Sequence, residues 1–430
     1  MARRAWRSTR AALPLASLLW VGAVSCSTQD ASDAPPPGAG STSEESQSVN
    51  ASPQPWSWPV STPEQEGIDA AAIAALDTEL AAAQHGFIDA LLVIRHGKIV
   101  AEHAYQHDYR AASAAYDQTS HPYNYYHPDW HPYVKGRAPH TLQSVTKSVT
   151  SILIGIAVGR GEIPGVETPA LTLLGERAFP DPDGRKAAIT LADLLTMRAG
   201  IAWDESSFAY TDARNDCAQM EASQDWIQFV LEKPMAADPG TVWVYSSGVS
   251  QLLSGILRAR TGETADLYAE RHLFGPLGIR DYYWKKTPDG LPDTEGGLYL
   301  APRDLARIGQ LVLQDGVWEG QRVLPEGWVR ASTELAVDDV APANATPDWG
   351  YGYQWWLRND VTAAGLSAPT RLIAGRGYGG QYLLIVPALD LVTVINGWDI
   401  YERQPSSMAL FLERIVPAVR PTAAASPSSD

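Results

Sequence analysis

Strand-like apolar runs sit near both ends of this chain, and helical patterns fill the space between them; that order limits the possible folds more than any other feature. Residues 90–95 (ALLVIR) and 99–105 flank His96-Gly97-Lys98, a glycine-containing turn, and predict a β-hairpin. Near the other end, 371–374, 381–386 and 391–395 read as three short strands, with turns at 375–380 and 387–390. Between them, helical patterns cover 144–159, 190–198, 222–232, 247–261, 263–273 and 302–314. Helices are also expected at 70–83 and 405–416. The arrangement predicts a mixed α/β (α+β) fold: one antiparallel sheet built from both chain ends, covered by the terminal helices, with a mostly helical lobe inserted.

The totals fit one large two-lobed domain or two domains. The chain has 430 residues, 45% of them hydrophobic, enough for a sizeable core. Its formal net charge is −16, with no basic cluster after the first ten residues, which argues against a nucleic-acid partner. No G-x-G-x-x-G follows a strand and no phosphate-binding glycine loop is present, so no nucleotide cofactor is expected.

The first 25 residues read as a signal peptide. Arg3, Arg4, Arg7 and Arg10 form a basic region, 11–22 is a short apolar run, and Ala23-Val24-Ser25 offers small residues for cleavage. Ala-Val-Ser-Cys resembles a bacterial lipobox, which makes Cys26 a candidate lipid-attachment site and the chain a candidate cell-envelope lipoprotein; simple cleavage and secretion is the alternative. Residues 26–57 are rich in Ser, Ala, Pro, Gln and acid and read as a tether, and 419–430 as a tail of the same kind, leaving 58–418 as the folded domain. Cys26 and Cys217 are the only cysteines, so neither a disulfide framework nor a Cys-rich metal site is expected.

Ser144 and Lys147 open an otherwise apolar helix. Val145, Val149, Ile152 and Ile156 share one face, and Leu153, Ile154 and Ala157 fill much of the rest. Side chains at i and i+3 are neighbours, so the hydroxyl and the amine meet. Burial and the positive helix N-terminus both favour a neutral lysine, and the same helix end favours an alkoxide. The expected result is a serine activated as a nucleophile, with Lys147 uncharged and ready to take its proton. Ser-x-x-Lys occurs nowhere else in the chain.

Two further stretches complete the pattern. Pro239-Gly240 leads through a short extended run to Tyr245, just before a helix, where a phenol could share protons with Ser144 and Lys147. Gly375-Arg376-Gly377-Tyr378-Gly379-Gly380 runs into a strand, and its glycines allow close backbone approach to a ligand. A backbone N–H from there, together with that of Ser144, could form an oxyanion hole.

In this order the three stretches resemble the penicillin-recognising serine hydrolases, most of all the group of class C β-lactamases, serine esterases and 6-aminohexanoate-dimer hydrolases. The resemblance spans about 58–418. It implies that Ser144 is acylated, that Lys147 and Tyr245 act as general base and acid, and that the N–H groups of Ser144 and Tyr378 hold the oxyanion. Ser247 stands where that family has the asparagine of Y-x-N, and Gly375-Arg376-Gly377 replaces its K-T-G or H-T-G. These departures favour ester or amide substrates over β-lactams, with Ser247, Arg376, Gly377 and Gly379 expected to contact substrate and Arg376 able to supply the missing cation. The implied function is an exported serine hydrolase needing no cofactor or metal and acting on a small ester, amide or peptide-like molecule. A non-catalytic binding or sensor protein of the same fold, or a cell-wall D-Ala peptidase or β-lactamase, is the alternative.

The stretch 120–133 holds His121, His127, His131 and several aromatics; interleaved prolines make a loop lining the substrate mouth a better expectation than a metal site. Trp203-Asp-Glu205 and 349–356 are expected either to border the pocket or to pack in the core. His103 and His107 read as loop residues. No G-x-S-x-G elbow is present and no histidine sits in a Ser-His-Asp context, which argues against an α/β-hydrolase.

Overall fold

A computed structural model describes residues 56–133, 138–340, 348–401 and 407–420. The predicted signal peptide and Cys26 lie outside the described residues, as do the tether up to 55 and the tail from 421.

The longest hydrophobic runs form the central strands. β1 (Ile88–Arg95) is buried along its whole length. It turns through His96 (φ 50) and Gly97 (φ 70) into β2 (Lys98–Ala104). Two successive left-handed residues match the twist of a tight hairpin. Short strands β3 (His140–Thr141), β4 (Tyr282–Trp284) and β5 (Leu298–Leu300) make a small sheet in the order β3-β5-β4, and β6 (Val317–Trp318) pairs with β7 (Gln321–Arg322). The remaining strands are β8 (Gly350–Tyr351), β9 (Trp356–Val361), β10 (Thr370–Gly377), β11 (Gln381–Val386) and β12 (Leu391–Gly397). The main sheet is antiparallel, in the order β2-β1-β12-β11-β10-β9-β8. β1 pairs directly with β12, Leu91 opposite Ile395, so the two chain ends build one sheet as expected.

The longer helices are α1 (Ala70–Ala81), α2 (Val145–Gly159), α3 (Trp226–Glu232), α4 (Ser247–Thr261) and α5 (Pro302–Leu313). α5 packs on β1, β11 and β12, and α2 on β10 and β11. The terminal helical run is Ser407–Leu410, Phe411–Ile415 and Val416–Ala418, and α1 packs against its last two segments. α4 begins at Ser246, whose hydroxyl caps Val249 N–H, and ends at Gly262 in the left-handed region (φ 76). Among the described residues no helix is long and apolar enough to cross a membrane.

Several expectations change. β8 and β9 extend the sheet by two strands. The helix expected at 222–232 starts only at Trp226, where Asp225 caps it by accepting from Gln228 N–H, and a separate helix, Asp216–Ala222, precedes it. His103 lies in β2 and pairs with Asp77 at 2.9 Å. The folded region also reaches further at each end. Trp56 packs its ring edge-on against Trp58 and tilted against Trp318, Val419 bridges Ile68, and Arg420 N–H donates to Gly67 O.

Candidate active site

The centre of the site is the start of α2, under the end of β10. Leu142 N–H donates to Leu298 O in β5, and Gln143 adopts a left-handed backbone (φ 45) that turns the chain into the helix. The first turn satisfies its own amides: Val145, Thr146 and Lys147 N–H donate to Leu142, Gln143 and Ser144 carbonyls. Ser144 is therefore the N-cap residue without a side-chain cap bond, and its hydroxyl is left for other partners. Thirteen of the 15 residues of α2 are buried, so packing rather than propensity holds this valine- and isoleucine-rich helix.

Lys147 is 1% exposed and its ammonium is surrounded by acceptors. Nζ donates to Ser144 Oγ at 2.9 Å, Ser247 Oγ at 3.1 Å, Glu295 O at 2.7 Å and Glu295 Oε2 at 3.2 Å. The Tyr245 ring lies beside it, with Nζ 5.1 Å from the centroid. The neutral resting lysine expected from sequence is corrected here. Burial alone draws its pKa down, but Tyr245, Glu295 and Glu205 outweigh burial and the net shift is upward. Local arguments from burial and helix polarity hold as far as they go; they omit two carboxylates that the fold brings in from distant loops.

Those carboxylates are the buried acidic groups beside Lys147 that sequence reasoning missed. Glu205, 4% exposed, accepts from Trp203 Nε1 at 2.6 Å, from Ser247 N–H at 2.8 Å and from the hydroxyls of Ser247 (3.1 Å) and Tyr210 (3.0 Å). Burial pushes its carboxyl up against the pull of Lys147 and the Ser247 N–H. Glu295 sits in a turn that Asp293 Oδ1 organises by accepting from the N–H groups of Glu295 and Gly296. Thr294 ties the same turn to α4 through Gln251 and Ser250. Tyr245 is pushed up by burial, while Lys147 and hydrogen bonding to Ser144 pull the other way.

The cleft above this group has a volume of about 430 Å³, and its walls include Ser144, Tyr245, Trp356, Arg376, Gly377 and Tyr378. Gly377 is required there: a Cβ would stand 2.4 Å from Leu142 O and 2.8 Å from Gln381 Cβ. The end of β10 thus lies directly on the loop that presents Ser144. Neither Ser144 N–H nor Tyr378 N–H donates to a turn or loop carbonyl among the described residues. Arg376 is stacked by Trp349 and Trp356, its guanidinium carbon 4.8 and 4.3 Å from their ring centroids, and its Nη1 has no partner among the described residues.

Two expected substrate contacts are placed elsewhere. Ser247 is 1% exposed and does not line the cleft; its hydroxyl bonds Lys147 and Glu205, of which Glu205 reaches the cleft wall. Gly379 (φ 79) lies on the turn after β10 with Trp398 and Ile400 beside it. The 120–133 loop does not line this cleft either. Its residues, with Tyr283, Lys285 and Tyr299, line a second cavity of about 670 Å³. The loop reaches the site through Tyr125, whose ring packs on Tyr378 at 5.8 Å. Among the described residues, the set that could hold a metal is Glu221, Asp293 and Glu295, not the histidines. Lys285 already serves two of these carboxylates, at 3.1 Å from Glu221 and 3.4 Å from Asp293.

The β-lactamase family model matches residues 73–397, from α1 to the last strand. The chain belongs to the β-lactamase family. Within that family it is 26% identical over 326 residues to the 6-aminohexanoate-dimer hydrolase of Paenarthrobacter ureafaciens, covering 72% of each chain. Among solved structures it is similar to EstCE1, a hydrolase with promiscuous acyltransferase activity, with a TM-score of 0.61 at 15% identity over 81% of this chain and 98% of that one. It is also similar to simvastatin synthase (LovD) from Aspergillus terreus, with a TM-score of 0.56 at 16% identity over 81% and 97%. These likenesses show the β-lactamase and transpeptidase fold, with its large antiparallel sheet and helical lobe.

Proposed function

We propose that this member of the β-lactamase family is an exported serine hydrolase that cleaves an ester or amide bond through an acyl-enzyme on Ser144. The observation that carries the reading is the buried Lys147 Nζ at 2.9 Å from Ser144 Oγ, at the wall of an open cleft. Ser144 Oγ attacks the carbonyl carbon, and its proton passes to Lys147 and Tyr245 and on to the leaving group. The N–H groups of Ser144 and Tyr378 receive the developing oxyanion. Water, deprotonated by the same pair, then releases the acyl group.

Arg376 lines the cleft as a cation stacked on Trp349 and Trp356, which suits a substrate carrying a carboxylate. The relatives, an amide-dimer hydrolase and an acyl-transferring hydrolase, support small esters and linear amides as the substrate class. Export rests on the arginine-rich start, the apolar 11–22 run and the small residues before Cys26. Cys26 is proposed as the site of a lipid tether to the cell envelope.

The test is a hydrolysis screen over p-nitrophenyl esters, linear amides, D-amino acid amides and β-lactams, with Ser144→Ala as the control. Turnover of esters or linear amides that disappears in S144A is expected. Turnover unchanged in S144A sinks the assignment.

A further inference from the structure

Lys147 Nζ faces four acceptors, one of them a carboxylate oxygen of Glu295 at 3.2 Å, a setting that holds an ammonium, and an ammonium cannot take the proton of Ser144. The acyl-enzyme reading, on which this inference depends, therefore needs a place for that resting proton to go. We propose that Ser247 and Glu205 form a proton relay that converts Lys147 to the free amine: Nζ donates to Ser247 Oγ at 3.1 Å, and the same hydroxyl donates to Glu205 Oε1 at 3.1 Å.

The bonds are already oriented for the transfer. One N–H of Lys147 breaks as its proton bonds to Ser247 Oγ. The original O–H of Ser247 breaks as that proton bonds to Glu205 Oε1. The ammonium and carboxylate become an amine and a carboxylic acid, Ser247 ends as it began, and total charge is unchanged. The amine then takes the Ser144 proton across the 2.9 Å contact as Oγ bonds to the substrate carbonyl. Once that proton has gone to the leaving group, Lys147 is an amine again and can deprotonate the hydrolytic water. Glu205 keeps the relayed proton throughout.

Three features of the site suit this role. A hydroxyl accepts and donates along one line and passes a proton by exchanging bonds; the carboxamide of an asparagine at the same position keeps its own protons. Glu205 Oε2 is held by Trp203 Nε1 and Ser247 N–H, which leaves Oε1 as the oxygen facing the relay. Glu205 is also the buried carboxyl beside Lys147 whose proton affinity burial raises. The charged and titratable groups facing the pair are Tyr245 from the loop before α4, Tyr210 from the 205–210 segment, Cys217 from Asp216–Ala222 and Glu295 from the Asp293 turn. Arg376 lies in the cleft wall, and Glu221, Asp293 and Lys285 stand around Glu295. Glu295 is the rival destination, since it also touches Nζ.

The test measures the rate of fluorophosphonate labelling of the full-length protein from pH 5 to 10, which needs no knowledge of the natural substrate. Variants S247A, S247N, S247T, E205Q and E295Q are compared, with folding checked by circular dichroism. S247A and S247N are expected to label about 100-fold more slowly at pH 7, the range for losing one proton-transfer partner. Their labelling should still be climbing at pH 10, since Lys147, its pKa shifted upward, then loses its proton only to hydroxide, which moves the acid limb of the profile to higher pH. S247T, with its hydroxyl restored, should follow the wild-type profile, and E205Q should behave like S247A. S247A, a small-for-small change, carries the test if E205Q does not fold. A wild-type profile in S247A overturns the relay, as does a profile moved by E295Q and not by S247A. No labelling of Ser144 in the wild type overturns the acyl-enzyme reading and the relay with it.

Discussion

Replacing Gly377 with alanine should impair catalysis far more than stability. The added Cβ would lie 2.4 Å from Leu142 O, where ordinary contact begins near 3.4 Å, so the two segments must part by about 1 Å. Leu142 cannot easily give way, because its N–H is bonded to β5 and its carbonyl accepts from Val145 at the head of α2. The end of β10 moves instead, carrying Tyr378 N–H with it. A displacement of that size at an oxyanion donor costs about 100-fold or more in rate, whereas overpacking costs about 1–3 kcal/mol of stability. The φ of Gly377 is not in the left-handed region, so backbone strain does not confuse the result. The assay is kcat/KM on the best ester from the substrate screen, alongside the midpoint of thermal unfolding. A G377A protein that is folded and within a few-fold of wild-type activity would refute the placement of Tyr378 N–H in the reaction.

Three other outcomes follow from the same contacts. Arg376→Ala should raise KM for esters bearing a carboxylate more than for neutral esters of equal size; equal effects on both would show that the guanidinium does not meet substrate. Burial pushes Glu221 up to about 7 and, with Glu295 close by, Asp293 up to about 6, in both cases against the pull of Lys285. The fold thus holds protons that the unfolded chain has already lost above its ordinary carboxyl range, so these groups make stability fall as pH rises from about 4.5 to 7. Calorimetry should show that fall in the wild type and a shallower one in Glu221→Gln; equal slopes would contradict the assignment. Finally, a Cβ on Gly155 would meet the Trp328 indole at 2.3 Å. Gly155→Ala should cost about 1–3 kcal/mol, with part of the loss recovered in G155A/W328V; strict additivity of the two changes would contradict the clash.

The parts of this molecule legible from sequence are those whose cause is local. β11 and β12 are continuous apolar runs bounded by turns, and α4 is bracketed by a capping serine and a left-handed glycine. β8 and β9 escaped because β9 sits toward the sheet edge and mixes buried Trp356 and Val361 with exposed Asn359 and Asp360, which gives no clean alternation. Within the site, Ser144, Lys147 and Tyr245 stood out because three residues or a turn-then-helix pattern bring them together. Glu205 was visible only as part of a candidate pocket border, and Glu295 carried no signal: its place beside Lys147 depends on the Asp293 turn and on hydrogen bonds to α4. The charge of Lys147 was misjudged for the same reason. Its burial follows from neighbours on one helix, but its counter-charges come from loops that no local pattern connects to it.

The most direct test of the account is to mix the protein with a p-nitrophenyl ester, quench within the first turnover and measure intact mass, followed by peptide mapping. The account predicts one added acyl group, located on Ser144 and absent from Lys147→Met. An acyl group on any other residue, or product release with no covalent species and full activity in Lys147→Met, would contradict it.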